Sequence, residues 1–208
     1  MKEIDTEIYQ RPEQVNAEQA KQLLMEGNRR FSSGKLLAKN MGTVRLEELL
    51  NKGQKPFAVI LTCSDSRVPP ELIFDQALGD LFIIRVAGNV ISPIVMGSIE
   101  YGVEHLQVPL LVILGHENCG AVKATIDGGE APGNIADIVE KIKPSVEKAR
   151  AAGATGNELY EMACDENTQA MKAEVEKSEI VKELIEHGKL QVVSAKYYLS
   201  NGEVKFDQ

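Results

Sequence analysis

The sequence predicts an α/β protein built on a mostly parallel sheet. Three observations carry that expectation. Two apolar runs, Phe57 to Leu61 and Leu110 to Leu114, show no polar alternation, as in strands buried on both faces. Segments with helical periodicity fill the long intervals between such runs, which is the length a parallel crossover needs. A final run, Leu190 to Leu199, is followed by Asn201-Gly202, a strong hairpin signal, so Glu203–Phe206 returns antiparallel.

The elements follow in order. Residues 1–15 show no period, contain Pro12 and read as a loose N-terminal arm. Asn16 is a good N-cap for a helix over Ala17–Ser32, with Gln19 in capping-box position and Ala20, Leu23, Leu24 and Phe31 at helical spacing. Thr43 is placed to cap a second helix, Val44–Lys52, with Leu46, Leu49 and Leu50 on one side and Gly53 at its end. The Phe57–Leu61 strand comes next. Pro69-Pro70 breaks the chain before a short helix over Glu71–Gln76. Leu81–Val86 is a second buried strand whose one charge, Arg85, pairs with a carboxylate or with a terminal carbonyl. Ser92-Pro93 opens a helix to about Leu106. On it Gly97, Tyr101, Glu104 and His105 share a face, and His105 reads as a packed histidine. The PLLVILGH strand, Pro109–His116, leads into a helix from about Cys119. After a glycine-rich junction, Asn134 caps a helix from Ile135 to about Ala151, kinked at Pro144. Helices over Gly156–Lys177 and Ser178–His187 follow, with charged faces in solvent and His187 suited to a helix C-terminus.

Composition narrows the class. The chain has 208 residues, enough for one domain with a sizeable core. Hydrophobic content of 43% and charged content of 26% are those of an ordinary globular protein. A net charge of −8 argues against non-specific binding to nucleic acid or to anionic membrane. No run is long and apolar enough for a transmembrane helix. The polar, acidic N-terminus lacks the apolar core of a signal peptide, so the expected location is cytoplasmic. Three cysteines are too few for a disulfide framework, and Cys164, in a helical pattern, reads as a buried free thiol.

The chemistry sits at two strand ends. After Leu61 the chain delivers Thr62 and then Cys63, Asp65 and Arg67 in alternation. Taken alone, Cys63 reads equally well as a small buried hydrophobe, and Asp65–Arg67 as a local ion pair. The second strand tips the balance, because it too ends in metal-capable groups, within Gly115-His116-Glu117-Asn118-Cys119-Gly120. Cys63, His116 and Cys119 form a Cys₂His set that suits zinc. Three protein ligands leave a fourth position open, the mark of a catalytic site. In open α/β sheets the C-terminal strand edge is where ligands bind.

These residues resemble the β-class carbonic anhydrases. The likeness covers about Ala17 to Phe206; its core is CSDSR at Cys63–Arg67 and GHENCG at Gly115–Gly120, with support from RVAGN at Arg85–Asn89 and SIEYGVEHL at Ser98–Leu106. The resemblance implies a single domain over 1–208 with a central, mostly parallel four-stranded sheet, helices on both faces and an antiparallel C-terminal hairpin strand. It implies one zinc ion per chain and reversible hydration of carbon dioxide to bicarbonate and a proton through zinc-bound hydroxide. It implies a homodimer or a dimer of dimers, with the site near the subunit interface. Gln54 reads on its own as an exposed loop residue. The resemblance makes it a substrate ligand, since in one subgroup a glutamine nine residues before the first zinc cysteine hydrogen-bonds the substrate. Phe82 and Tyr101 fall on pocket-lining positions of that subgroup. The other subgroup has a tryptophan three residues before the cysteine; here that residue is Ile60 and the chain has no tryptophan. The resemblance is therefore to the subgroup with an open, water-bound zinc.

Each residue has a chemical reason. A carboxylate at Asp65 can accept a hydrogen bond from the nucleophile, or swing onto the metal and close the site; both uses fit. Arg67 would hold Asp65 away and ionised. A backbone N–H near Gly120, at a helix start, can meet developing negative charge. For proton removal, buffer, Tyr101 and His105 are all open. Two other readings stand beside hydration of carbon dioxide: hydrolysis of carbon disulfide or carbonyl sulfide on the same scaffold, and a zinc-binding homologue without turnover. Intact Asp65, Arg67 and Gln54 argue against the last.

Overall fold

The computed structural model describes residues 14–39 and 41–207. The expected N-terminal arm therefore lies, over residues 1–13, outside the described residues. Five strands form one sheet in the order β2-β1-β3-β4-β5, comprising β1 (Ala58–Thr62), β2 (Leu81–Arg85), β3 (Leu110–His116), β4 (Gln191–Tyr197) and β5 (Val204–Phe206). The first four are parallel and β5 is antiparallel to β4. Every residue of β1 and β3 is buried, which explains their unbroken apolar runs.

Side-chain alternation divides the core in two. Ala58, Ile60, Leu110, Val112 and Leu114 face α1 (Ala17–Ser32) and α3 (Pro70–Ile73), where Ala20, Leu24, Ile73 and Phe74 cover them. Val59, Leu61, Cys63, Leu111 and Ile113 face the other layer. That layer holds α4 (Pro93–Glu100), α5 (Gly120–Asp127), α6 (Ile135–Ala151), α7 (Gly156–Val175) and α8 (Glu179–Glu186), α2 (Thr43–Lys52) standing apart from both. Helices thus cover both faces, as expected.

Local signals act largely where the sequence puts them. Asn16 accepts from the Gln19 backbone and the Gln19 side chain answers the Asn16 N–H, a complete capping box. Ser92 and Ser178 cap α4 and α8 through their hydroxyls. Several expectations need correction: α3 stops at Ile73 rather than Gln76, and Asn134 precedes α6 without a side-chain cap bond. The helix starting at Pro93 does not run uniformly to Leu106; it passes into one π-helical turn over Tyr101–His105. There Gly102 packs so tightly that a Cβ would stand 2.7 Å from Val59 and 3.2 Å from Phe82. His105 is exposed and stacks on Tyr101 rather than packing inside. In α2 the N-cap is Gly42, not Thr43, and the apolar side is largely open, with Val44, Leu46 and Leu50 exposed. Leu49 lies against Gly79. Arg45 tethers α2 instead, donating to the Leu78 carbonyl and pairing with the buried Asp80. Nearby, the buried Asp75 is held between Arg30 and Lys39.

Helix α1 lies close to the chain beyond α3. A Cβ on Gly27 would stand 1.8 Å from the Phe74 carbonyl oxygen. Gly27→Ala is expected to cost about 1–3 kcal/mol, read as a lower urea midpoint at unchanged slope.

Candidate metal centre

Strands β1 and β3 are neighbours and parallel, with Thr62 opposite Leu114 in the register. Both therefore end at the same sheet edge, and the residues that follow them are delivered side by side. Cys63 is the first residue after β1 and His116 the last of β3. The chain then turns at Asn118, whose φ of 52° lies in the left-handed region that asparagine tolerates. That turn brings Cys119 back as the N-cap of α5.

The three donor atoms of Cys63, His116 and Cys119 lie within 4.8 Å of one another, and all three residues are buried. The two sulfurs are 4.0 Å apart. Tetrahedral zinc with Zn–S bonds of about 2.3 Å requires about 3.8 Å. His116 Nδ1 sits 2.8 Å from the Glu117 carbonyl oxygen. A carbonyl only accepts, so Nδ1 carries the hydrogen and Nε2 presents its lone pair. That Nε2 is buried and has no hydrogen-bond partner among the described residues, as befits a nitrogen that ligates a cation. The contact between the two sulfurs pushes the Cys63 thiol well below the ordinary thiol range and the Cys119 thiol up. Two thiolates and a neutral imidazole would balance the charge of a dication held there, so the donor set fits zinc.

Beside this set, Asp65 and Arg67 form a bidentate pair. Arg67 Nε donates to Oδ1 at 3.0 Å and Nη2 to Oδ2 at 2.8 Å, while the Arg67 backbone N–H also reaches Oδ1 at 2.9 Å. The guanidinium holds the Asp65 carboxyl down at about 2. Asp65 is not part of the converging donor cluster.

Two residues from the end of β2 and the turn after it hold the loop. Arg85 resolves its open alternatives in favour of carbonyls: Nε donates to Cys63 O at 3.1 Å and Nη2 to Asp65 O at 2.5 Å. Gly88 N–H donates to Cys63 Sγ at 3.3 Å. Both lie in the RVAGN stretch, whose lone charge and glycine were the available signals. Gly120 begins α5 directly after Cys119, in open space. The remaining candidates do not join the cluster within one chain. Phe82 is level with Val59 in the register, four residues before Cys63, so about 13 Å separates them along the strand. Tyr101 packs against Phe82, with ring centroids 6.0 Å apart. Gln54 is exposed, ahead of the start of β1, at the opposite sheet edge.

A parallel sheet with a buried three-ligand Cys₂His cluster at its C-terminal edge defines an α/β metalloprotein with a catalytic-type zinc site. The comparisons with known proteins agree. A family model described as carbonic anhydrase matches residues 58–204. The carbonic anhydrase of Mycolicibacterium smegmatis is 42% identical over 186 residues, covering 88% of this chain and 89% of its own length. Carbonic anhydrase 2 of Mycobacterium tuberculosis is 43% identical over 183 residues, covering 86% and 87%. Among solved structures, the β-carbonic anhydrase CcaA matches with a TM-score of 0.72 at 27% identity, over 90% of this chain and 95% of that one. One of two tetrameric β-carbonic anhydrases of the ascomycete Sordaria macrospora matches with a TM-score of 0.70 at 25% identity, over 79% and 86%. The chain belongs to the β-class carbonic anhydrase family, whose reaction is the hydration of carbon dioxide.

Elemental analysis of purified protein is expected to find about one zinc per chain, with His116→Ala and Cys119→Ala each falling well below half of that. A second test concerns Asp65. Its pairing lowers the folded-state value from the ordinary 3.8, so its stabilisation is present above that value and is lost as pH falls toward about 2. The stability difference between wild type and Arg67→Ala, measured by urea unfolding, is therefore expected to be steady near neutrality and to narrow as pH drops below about 4.

Proposed function

We propose that this chain interconverts carbon dioxide and bicarbonate with Cys63, His116 and Cys119 as the zinc ligands and with Asp65 and Arg67 as the catalytic pair. The observation that carries the reading is the bidentate Asp65–Arg67 contact beside the three converging donors. When bound, zinc supplies the Lewis acidity that lets a coordinated water ionise, and two thiolate ligands, by neutralising the metal, set that ionisation higher than three histidines would.

Asp65, kept ionised by Arg67, accepts the hydroxyl hydrogen of the nucleophile and thereby aims an oxygen lone pair at the substrate carbon. An acceptor held in one place supplies orientation at no reorganisation cost during the reaction. Arg67 also donates to the Asn118 carbonyl at 3.3 Å, which ties the pair to the turn between His116 and Cys119. The contact of Asp65 with Arg67, away from the donor cluster, supports the subgroup with an open metal position. The N-terminus of α5 at Gly120 offers a backbone N–H to the oxygen that gains charge.

Gln54, Phe82 and Tyr101 complete the pocket in this reading, Gln54 donating its amide to a bicarbonate oxygen and the two rings supplying apolar walls. Their distance from Cys63 within one chain favours their delivery by a second copy. Strand β2 is an edge strand with half-buried apolar residues at Leu81, Phe82 and Ile83, a surface suited to such a copy. The proposed assembly is a homodimer or a dimer of dimers, in the cytoplasm.

Stopped-flow carbon dioxide hydration tests the reading. Turnover is expected to climb from about pH 7 to about pH 9. Asp65→Ala and Arg67→Ala are each expected to retain zinc and to lose about 100-fold or more in turnover. A zinc-replete Asp65→Ala variant with wild-type rates would remove Asp65 from the mechanism. Full zinc content with no hydration at any pH would favour a different substrate.

A further inference from the structure

The glycine whose N–H contacts the Cys63 sulfur is held at its carbonyl from a distant helix. Gly88 sits in a short 3-10 turn over Ala87–Asn89, immediately after β2, with φ 68° and ψ 14°. Its N–H donates to Cys63 Sγ at 3.3 Å. Its carbonyl accepts from Asn167 Nδ2 at 2.9 Å. Asn167 lies in the middle of α7, seventy-nine residues along the chain, and is 1% exposed. The orientation of this amide is fixed by chemistry. A carbonyl only accepts, so the nitrogen of Asn167 must face it. The Asn167 oxygen then has no hydrogen-bond partner among the described residues. An unsatisfied buried polar atom is costly, so a leucine-like residue would serve packing better here.

Gly88 has reason to need such a clamp. A Cβ at this position would stand 2.7 Å from Ile142 Cδ1 and 3.1 Å from the Ala121 Cβ, and its φ of 68° strains any residue with a side chain, so glycine suits the position. Glycine is also the residue with the least intrinsic backbone restriction. The N–H that meets the thiolate and the carbonyl held by Asn167 flank one Cα. They belong to successive peptide planes joined by φ and ψ of Gly88, so anchoring the carbonyl on one side and the N–H on the other narrows the torsional range of a residue that would otherwise swing freely. A donor on a thiolate draws charge from the sulfur and so tunes what the sulfur gives to a metal.

We propose that Asn167 is a positioning residue for the zinc ligand Cys63, acting through the backbone torsions of Gly88 to keep its N–H on the sulfur. The inference deepens the proposed function and rests on Cys63 holding a metal ion. It assigns to α7, which brings no ligand to the site, a part in setting the electron density at the metal.

Cadmium-113 substitution of the full-length protein tests it without any mutation. Proton–cadmium cross-peaks from the β-protons of Cys63 and Cys119 report metal binding. A further cross-peak from the Gly88 amide proton reports a hydrogen bond through the Cys63 sulfur. Both sets are expected in the wild type. In Asn167→Leu the Gly88 cross-peak should vanish while the cysteine peaks persist. The same variant should shift the sulfur-to-cobalt charge-transfer band of the cobalt form and release zinc to a chromophoric chelator about 10-fold more readily. Met171→Ala, one turn further along α7, removes core contacts without touching Gly88 and should leave the band in place. Cysteine cross-peaks with no Gly88 cross-peak in the wild type would overturn this inference alone. Absence of the cysteine cross-peaks would instead overturn the metal reading on which it rests. A folded Asn167→Leu protein with an unshifted band and wild-type zinc release would also overturn the inference.

Discussion

Everything near the site depends on bringing two sulfurs and one imidazole nitrogen to a single buried point. Two thiolates 4.0 Å apart repel each other, and without a cation one of them must keep its proton. The fold answers by ending two adjacent parallel strands at one edge and by turning the chain back through a left-handed Asn118. Parallel neighbours make this convergence natural. Antiparallel ones would have placed the ends of β1 and β3 on opposite sides of the domain.

Around that point, charge is distributed for separate tasks. The Cys63 loop is held through its carbonyls by Arg85 and through its sulfur by Gly88, so neither contact consumes a ligand. Asp65 is left to Arg67, which keeps it ionised and off the donor cluster. The opposite sheet edge works differently. There, buried carboxylates at Asp75 and Asp80 meet Arg30, Lys39 and Arg45, and these contacts fix the segment that leads through α2 toward Gln54. The apolar side of α2 is largely exposed, so polar anchors, more than core packing, hold that helix.

Much of this was legible in the sequence because it is local or periodic. The capping box of α1, the doubly buried strands, the Asn201-Gly202 turn and the two metal-bearing strand ends all depend on residues a few positions apart. The exposed face of α2 was not legible, since Leu46 and Leu50 have helical spacing whether or not anything covers them. Nor was the π-helical turn at Tyr101–His105, inside which Gly102 seats against Val59 and Phe82, residues remote in sequence.

The sequence by itself determined the class of fold and the candidate ligands, because each is written in residue type at the end of an apolar run. The tertiary structure decided the rest. It set the tautomer of His116, the carbonyl partners of Arg85, the reach of Asn167 to Gly88, and the separation of Gln54, Phe82 and Tyr101 from Cys63. Those outcomes depend on which strands become neighbours and in what register. Long-range packing sets that register, and no short stretch of this chain encodes it.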